Sequence, residues 1–303
     1  MDNDAGTAPH GIVVGVDGSP GSDHALRWAL EEAAVREAQV RAVHAWAPPT
    51  SYSSIAEIVE PDELEPHAAA ALEVAEAAVA KAMADLGLKV DIEASAVRGY
   101  VPEVLMAESA DAALLVVGTR GRGGFRGLLL GSVSQQCATH AACPVAVIHE
   151  HAALPDGDDV LVGVDGSTQS RRALDWAIDE AARRNARLTV VQAWSTPVPA
   201  PPAGLVVTPI DPEVFRASAE DVLSSVTDEA LAAARRRPPD VNLVAVEQPP
   251  PVALLNQAKD ANLLVAGARG LGGFKGLLLG SVSQQCIHHA PCAVVVVPHP
   301  AAG

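Results

Sequence analysis

Positive charge is scarce in this 303-residue chain: 21 lysines and arginines stand against 37 aspartates and glutamates, a formal net charge of −16. A general binder of phosphate backbones needs the opposite sign, so bulk nucleic-acid binding is disfavoured. Any anionic ligand must be held by local groups working against the global field. Charged residues make up only 19% of the chain against 49% hydrophobic, too little for a disordered chain and enough apolar material for real cores. No apolar run reaches the ~18–20 residues of a membrane span. The Ala-rich stretch from His67 to Leu86 is broken by Glu73, Glu76, Lys81 and Asp85, so no membrane association is expected. The first ten residues have neither a basic start nor an apolar segment, so nothing marks the chain for export and a cytoplasmic protein is expected. Cysteine is confined to Cys137, Cys143, Cys286 and Cys292, which lack the C-x2-C pairs of zinc sites and are too few for a secreted disulfide framework; buried free thiols are expected. Also missing are G-x4-G-K-[ST], G-x-S-x-G and H-E-x-x-H, and with them the P-loop clamp, the esterase elbow and the zinc protease helix.

What is present is a duplication. Gly127–Cys137 reads GLLLGSVSQQC, and Gly276–Cys286 repeats the same eleven residues. Val-Asp-Gly-Ser occurs at Val16–Ser19 and again at Val164–Ser167, and Ser22, Leu26 and Trp28 return as Ser170, Leu174 and Trp176. At about 100–200 residues per domain the length already suggests two domains, and the repeat places them at 8–150 and 159–299 with a linker over 151–158.

Each half alternates short apolar runs with helical periodicity. In the first, strands are predicted at Ile12–Val16, Val40–Ala45, Asp91–Val97, Leu114–Gly118 and Val145–Ile148. Ser19 caps a helix with Pro20 at its first position; a long helix lies within Pro61–Leu86, another opens at Pro102, and a last one starts at Gly131. The second half repeats the order with strands at Val160–Val164, Leu188–Ala193, Val241–Val246, Leu263–Gly267 and Val294–Val297. Long irregular loops are expected at Pro48–Pro61 and Pro197–Pro209. Five strands alternating with helices imply an α/β fold with an open parallel sheet and helices on both faces, once per half. The short apolar final strands would leave exposed edges, so they are expected to pair with each other within one chain as a pseudo-dimer, with room for a further homodimer.

Ligands of such sheets bind beyond the carboxyl ends of the strands, where strand order reverses. In the first half Gly15 and Asp17 follow one strand, Ala45 ends the second, and the fourth runs into Gly118-Thr-Arg120-Gly121, nine further residues, then Gly131-Ser132-Val133-Ser134. The second half repeats this with Gly163, Asp165, Ala193, Gly267-Ala-Arg269-Gly270 and Gly280-Ser281-Val282-Ser283. Glycines let the backbone approach a ligand, and amides at a helix N-terminus point toward an anion, so phosphate suits the place. Ser132, Ser134, Ser281 and Ser283 would add hydroxyl donors. The plainer alternative is that Gly121, Gly123, Gly124 and Gly127 form a turn and Ser132 a cap. Histidines such as His44, His140 and His289 take packing or helix-end roles by default.

G-x2-G-x9-G-S with Asp after the first strand resembles the ATP-binding pattern of the universal stress protein family, and the chain is similar to its tandem-domain members over Gly11–Glu150 and Asp159–Pro298. The resemblance implies strand order 3-2-1-4-5 in each half, one ATP site per domain and a regulatory role in stress rather than enzymatic turnover. It places Asp17 and Asp165 near the ribose or a metal, the backbone of Ala45 and Ala193 at the adenine edge, and the glycines and serines around the phosphates. Magnesium or manganese is able to bridge phosphate oxygens there. Arg98 and Arg122 align with Glu247 and Leu271, so the first half is expected to hold ATP more tightly. The rival reading is an enzyme that slowly hydrolyses ATP or adenylates a substrate; a third is a scaffold with relic sites.

Overall fold

The computed structural model of the chain describes residues 11–47, 61–121, 130–150, 159–196, 211–271 and 278–299. The proposed linker, nearly all of both long irregular loops, Arg122, Gly123, Gly124 and Gly127 lie outside the described residues. The chain divides into two compact units, Met1–Pro155 with Ala293–Gly303, and Asp156–Cys292.

In the first unit β1 (Ile12–Gly15), β2 (Val40–Trp46), β3 (Ile92–Arg98), β4 (Leu114–Gly118) and β5 (Val145–Ile148) alternate with α1 (Pro20–Arg36), α2 (Pro61–Leu86), α3 (Val101–Glu108) and α4 (Ser132–His140). The strands lie in the order β3-β2-β1-β4-β5, all parallel. β1 is central because its residues are apolar and buried on both faces: Ile12 aligns with Val40 on one side and Leu114 on the other. β4 is equally closed, with Leu114 to Val117 at most 2% exposed. Fully burying each such side chain contributes roughly 1.5–3 kcal/mol. The last strand of the chain, β10 (Ala293–Val297), belongs to this unit and runs antiparallel to β5, with Val294 opposite Val147 and Val296 opposite Val145.

The second unit repeats the pattern with β6 (Asp159–Gly163), α5 (Thr168–Arg184), β7 (Arg187–Trp194), α6 (Pro212–Ala233), β8 (Val241–Glu247), α7 (Pro250–Gln257), β9 (Leu263–Gly267) and α8 (Ser281–His289). Its strands run β8-β7-β6-β9, again parallel.

The helices start where local chemistry dictates. The Ser19 hydroxyl accepts the Ser22 amide at 3.2 Å and Ser167 accepts that of Ser170 at 3.1 Å, each capping the first turn; losing such a cap costs about 1 kcal/mol. α1 buries Ala25, Leu26, Trp28, Ala29, Leu30 and Ala33, the face its three- and four-residue spacing sets toward the sheet. It ends at Glu37 in the left-handed region, φ 54°, and α5 ends likewise at Asn185, φ 51°. Since β1 has β2 on one side and β4 on the other, strand order reverses between the carboxyl ends of β1 and β4, and in the second unit between β6 and β9.

Candidate functional site

The second unit's reversal point opens into a cavity of about 350 Å³, within the ~300–1,000 Å³ of small-molecule sites. Every residue expected there from the sequence lines it: Gly163, Asp165, Ala193, Gly267, Arg269, Gly270, Gly280, Ser281, Val282 and Ser283. Each arrives on a different element. Gly163 and Asp165 close β6, Ala193 comes from β7, Gly267 to Gly270 leave β9, and Gly280 to Ser283 form the first turn of α8. Sequence reasoning missed an apolar wall of Val191, Pro250, Pro251 and Leu254. Its only sequence signal was the proline triplet that starts α7. A Cβ on Gly163 would sit 2.8 Å from Leu254 Cδ1, so strand and wall meet closely.

Main-chain donors face this cavity. Gly280 caps α8 without any side-chain cap, and its own amide is engaged, donating to the Ala268 carbonyl at 2.7 Å. That leaves the amides of Ser281, Val282 and Ser283, the N-terminal donors an α-helix cannot satisfy internally, aimed with the positive end of the helix dipole at the opening. The expected hydroxyl donors are corrected by half. Ser283 is buried and its Oγ donates inward to the Gly267 carbonyl at 2.6 Å, and Ser134 does the same to Gly131 and Thr119 at 3.0 and 3.3 Å. Both face carbonyl acceptors that only a donor can satisfy, so they supply amides alone, while Ser281 and Ser132 stay exposed.

Asp165 is ordered by hydrogen bonds from the Ser167 amide (3.0 Å) and the Leu271 amide (2.7 Å). Burial pushes its carboxyl up, but the hydrogen bonds from Ser167, Leu271 and Ser170 together outweigh this and hold it below the ordinary carboxylate value. Among the described residues no group of three or more His, Cys, Asp or Glu gathers to hold a metal. A magnesium or manganese ion here would take its ligands chiefly from phosphate and water.

The first unit repeats the geometry. The Asp17 carboxylate accepts the Ser19 amide at 2.9 Å, and its own amide donates to Ser22 Oγ at 3.2 Å. The Gly131 amide donates to Thr119 at 2.7 Å, leaving those of Ser132, Val133 and Ser134 at the start of α4. Gly15, Ala45 and Gly118 stand at the carboxyl ends of β1, β2 and β4. A Cβ on Gly118 would meet the Gly21 carbonyl at 2.6 Å, as one on Gly267 would meet Gln169 at 2.9 Å. These glycines are therefore required by the fold itself, whatever they also admit. His44, at the end of β2, places Nδ1 2.7 Å from the Val16 carbonyl and so braces the end of β1. Arg120 pairs with Glu150 at 3.4 Å, so part of its charge is already answered by a carboxylate; the repeat places His299 at the matching position.

A larger hollow of about 560 Å³ lies at the opposite, amino ends of β1, β2 and β3, lined by Gln39, Arg41, Asp91, Glu93, Glu108 and Asp111. It contains neither a glycine loop nor a helix N-terminus, and the pairs Arg41–Glu108 (3.1 Å) and Gln39–Asp91 (2.5 Å) already satisfy much of its polar lining. The glycine-rich turns and the starts of α4 and α8 lie at the carboxyl ends of the strands instead.

A model of the Universal stress protein family matches residues 10–149 and 158–298. A universal stress protein of Mycobacterium tuberculosis is 37% identical over 298 residues, covering 95% of this chain and 96% of its own length. A second from the same organism is 35% identical over 301 residues, covering 96% and 97%. The crystal structure of a universal stress protein from Archaeoglobus fulgidus superposes with a TM-score of 0.69 at 20% identity, covering 95% of this chain and 98% of that one, which shows the shared fold.

Proposed function

Because the chain belongs to the universal stress protein family, matched in two tandem copies, we propose that it binds ATP at both reversal points and acts as a regulatory stress-response protein whose ligand state is its output. One observation supports this most directly. Ten residues chosen by motif line one cavity in the second unit, with the unpaired amides of Ser281, Val282 and Ser283 turned to it. In a chain of net charge −16, only such local donors can offset a polyphosphate.

The chain's own groups would divide the work. The helix-start amides receive phosphate oxygens, Arg120 and Arg269 contribute charge nearby, and the apolar wall of Val191, Pro251 and Leu254 excludes water from a planar base. Ala45 and Ala193 offer strand-end backbone polar groups to that base. Magnesium or manganese, when bound, would neutralise phosphate charge. Turnover at ordinary enzyme rates, above about 1 per second, is not expected, since each motif brings a single carboxylate, Asp17 or Asp165, to its strand end.

Native mass spectrometry of the gently purified full-length chain tests the proposal. Two adenine nucleotides per chain is the expected result; a chain that stays bare after incubation with ATP and magnesium overturns it. Sustained ADP or AMP release above that rate would favour the enzymatic reading instead.

A further inference from the structure

Asp165 lies just beyond the end of β6, and the two oxygens of its carboxylate serve different segments of the chain. Oδ1 accepts the Ser167 amide at 3.0 Å, at the turn into α5, while Oδ2 accepts the Leu271 amide at 2.7 Å, 106 residues further on. The Asp165 amide in turn donates to Ser170 Oγ at 3.2 Å. Gly270, the residue before Leu271, has no room for a side chain, because a Cβ there would overlap Asp165 Oδ2. In the first unit Asp17 Oδ1 likewise accepts the Ser19 amide at 2.9 Å, and a Cβ on Gly121 would overlap Asp17 Oδ2; Arg122, which matches Leu271, lies outside the described residues.

We propose that Asp165 is a positioning residue whose carboxylate latches the opening of the glycine loop onto the end of β6. Three observations support this assignment. Both Asp165 oxygens are engaged by main-chain donors, one from the turn into α5 and one from the loop, as two charge-assisted hydrogen bonds. The second glycine of G-x2-G is required by the carboxylate itself, a steric need that exists without any ligand. Leu271 is 74% exposed and lies in no helix or strand, so the Asp165 oxygen is what orders its amide. The latch fixes where the loop leaves β9, and with it the approach to the α8 amides. That lowers the ordering cost of binding. Only this last consequence rests on the nucleotide reading.

The latch is read first on the nucleotide-free, full-length protein. An exposed, unlatched turn amide exchanges at close to the free-peptide rate, so Leu271 in the wild-type chain is expected to exchange at least ~10-fold more slowly, by NMR. In Asp165→Asn that protection is expected to vanish while the interior amides of β6 and β9 keep theirs. A Leu271 amide exchanging at the free-peptide rate in the wild type overturns the proposal, as does unchanged protection in a folded Asp165→Asn. If that variant does not fold, the wild-type measurement decides alone. Calorimetry then separates the two readings: protected Leu271 in a chain that binds no ATP keeps the latch and refutes the nucleotide site. With ATP bound, the latch predicts that Asp165→Asn weakens the second site about 10-fold through a looser loop.

Discussion

Substituting Gly280 by glutamate separates binding from folding at the second site. Gly280 is the N-cap of α8 in an extended conformation, φ −78° and ψ 155°, which any residue adopts. A Cβ added there would lie 3.4 Å from the Ala268 carbonyl, an ordinary contact. A carboxylate at a helix N-terminus gains roughly 0.3–1 kcal/mol from the dipole, which offsets the few tenths lost with the glycine cap. The nucleotide-free variant should therefore be about as stable as the wild type. Its effect on a bound phosphate is large. Two like unit charges about 4 Å apart at an effective dielectric near 20 repel by about 4 kcal/mol, close to a thousandfold in affinity at ~1.4 kcal/mol per decade. ATP at about 100 times its Kd should stabilise the wild-type site by roughly 2.7 kcal/mol, raising the transition of that domain by about 5–10 °C in scanning calorimetry. In Gly280→Glu that rise should disappear, and native mass spectrometry should show one nucleotide per chain instead of two. Two retained nucleotides refute the placement of phosphate at α8. A fall of several kcal/mol in the ligand-free variant refutes the account of the helix end.

Other substitutions probe the packing. Gly270→Ala, which drives a Cβ into the Asp165 carboxylate, should cost about 1–3 kcal/mol in urea denaturation, whereas Gly280→Ala should stay within about 0.5 kcal/mol. Trp28 is 1% exposed with no hydrogen-bond partner for its indole N–H. Trp28→Phe therefore removes an unpaired buried donor along with some volume and should change stability by only about 1 kcal/mol, against about 3–5 for Trp28→Ala. Burial pushes the thiols of Cys137, Cys286 and Cys292 up to about 12. They should resist a thiol reagent at pH 8 until the chain unfolds. Their folded values lie above the ordinary 9, so the unfolded chain releases these protons first and stability should fall as pH rises from about 9 toward 12.

The sequence made the fold legible where chemistry is local. α2, β4, β5 and β9 begin and end where their apolar runs and breakers put them, and Ser19 and Ser167 cap as their positions demand. β2 and β7 run on to Trp46 and Trp194, one residue past the apolar pattern, because pairing with Arg98 and Glu247 continues across the half-exposed strand ends. The lining of the second unit's cavity was legible too, since glycine spacing and strand ends are linear features. What escaped depends on partners distant in the chain. The inward turn of Ser134 and Ser283 is set by carbonyls 15 and 16 residues back. The reason for Gly270 lies in a carboxylate about a hundred residues earlier, and the apolar wall of Pro250 and Leu254 is brought to β6 only by the crossover of α7.

The last strand, β10, ends the second sequence repeat yet lies beside β5 in the first unit. The sequence repeat and the spatial grouping of the strands therefore part company at β10. A fragment ending at Glu150 would keep every site residue of its half but expose the bare margin of β5, a template for strand capture by any neighbouring chain. The strand that completes one sequence copy thus shields an edge strand of the other.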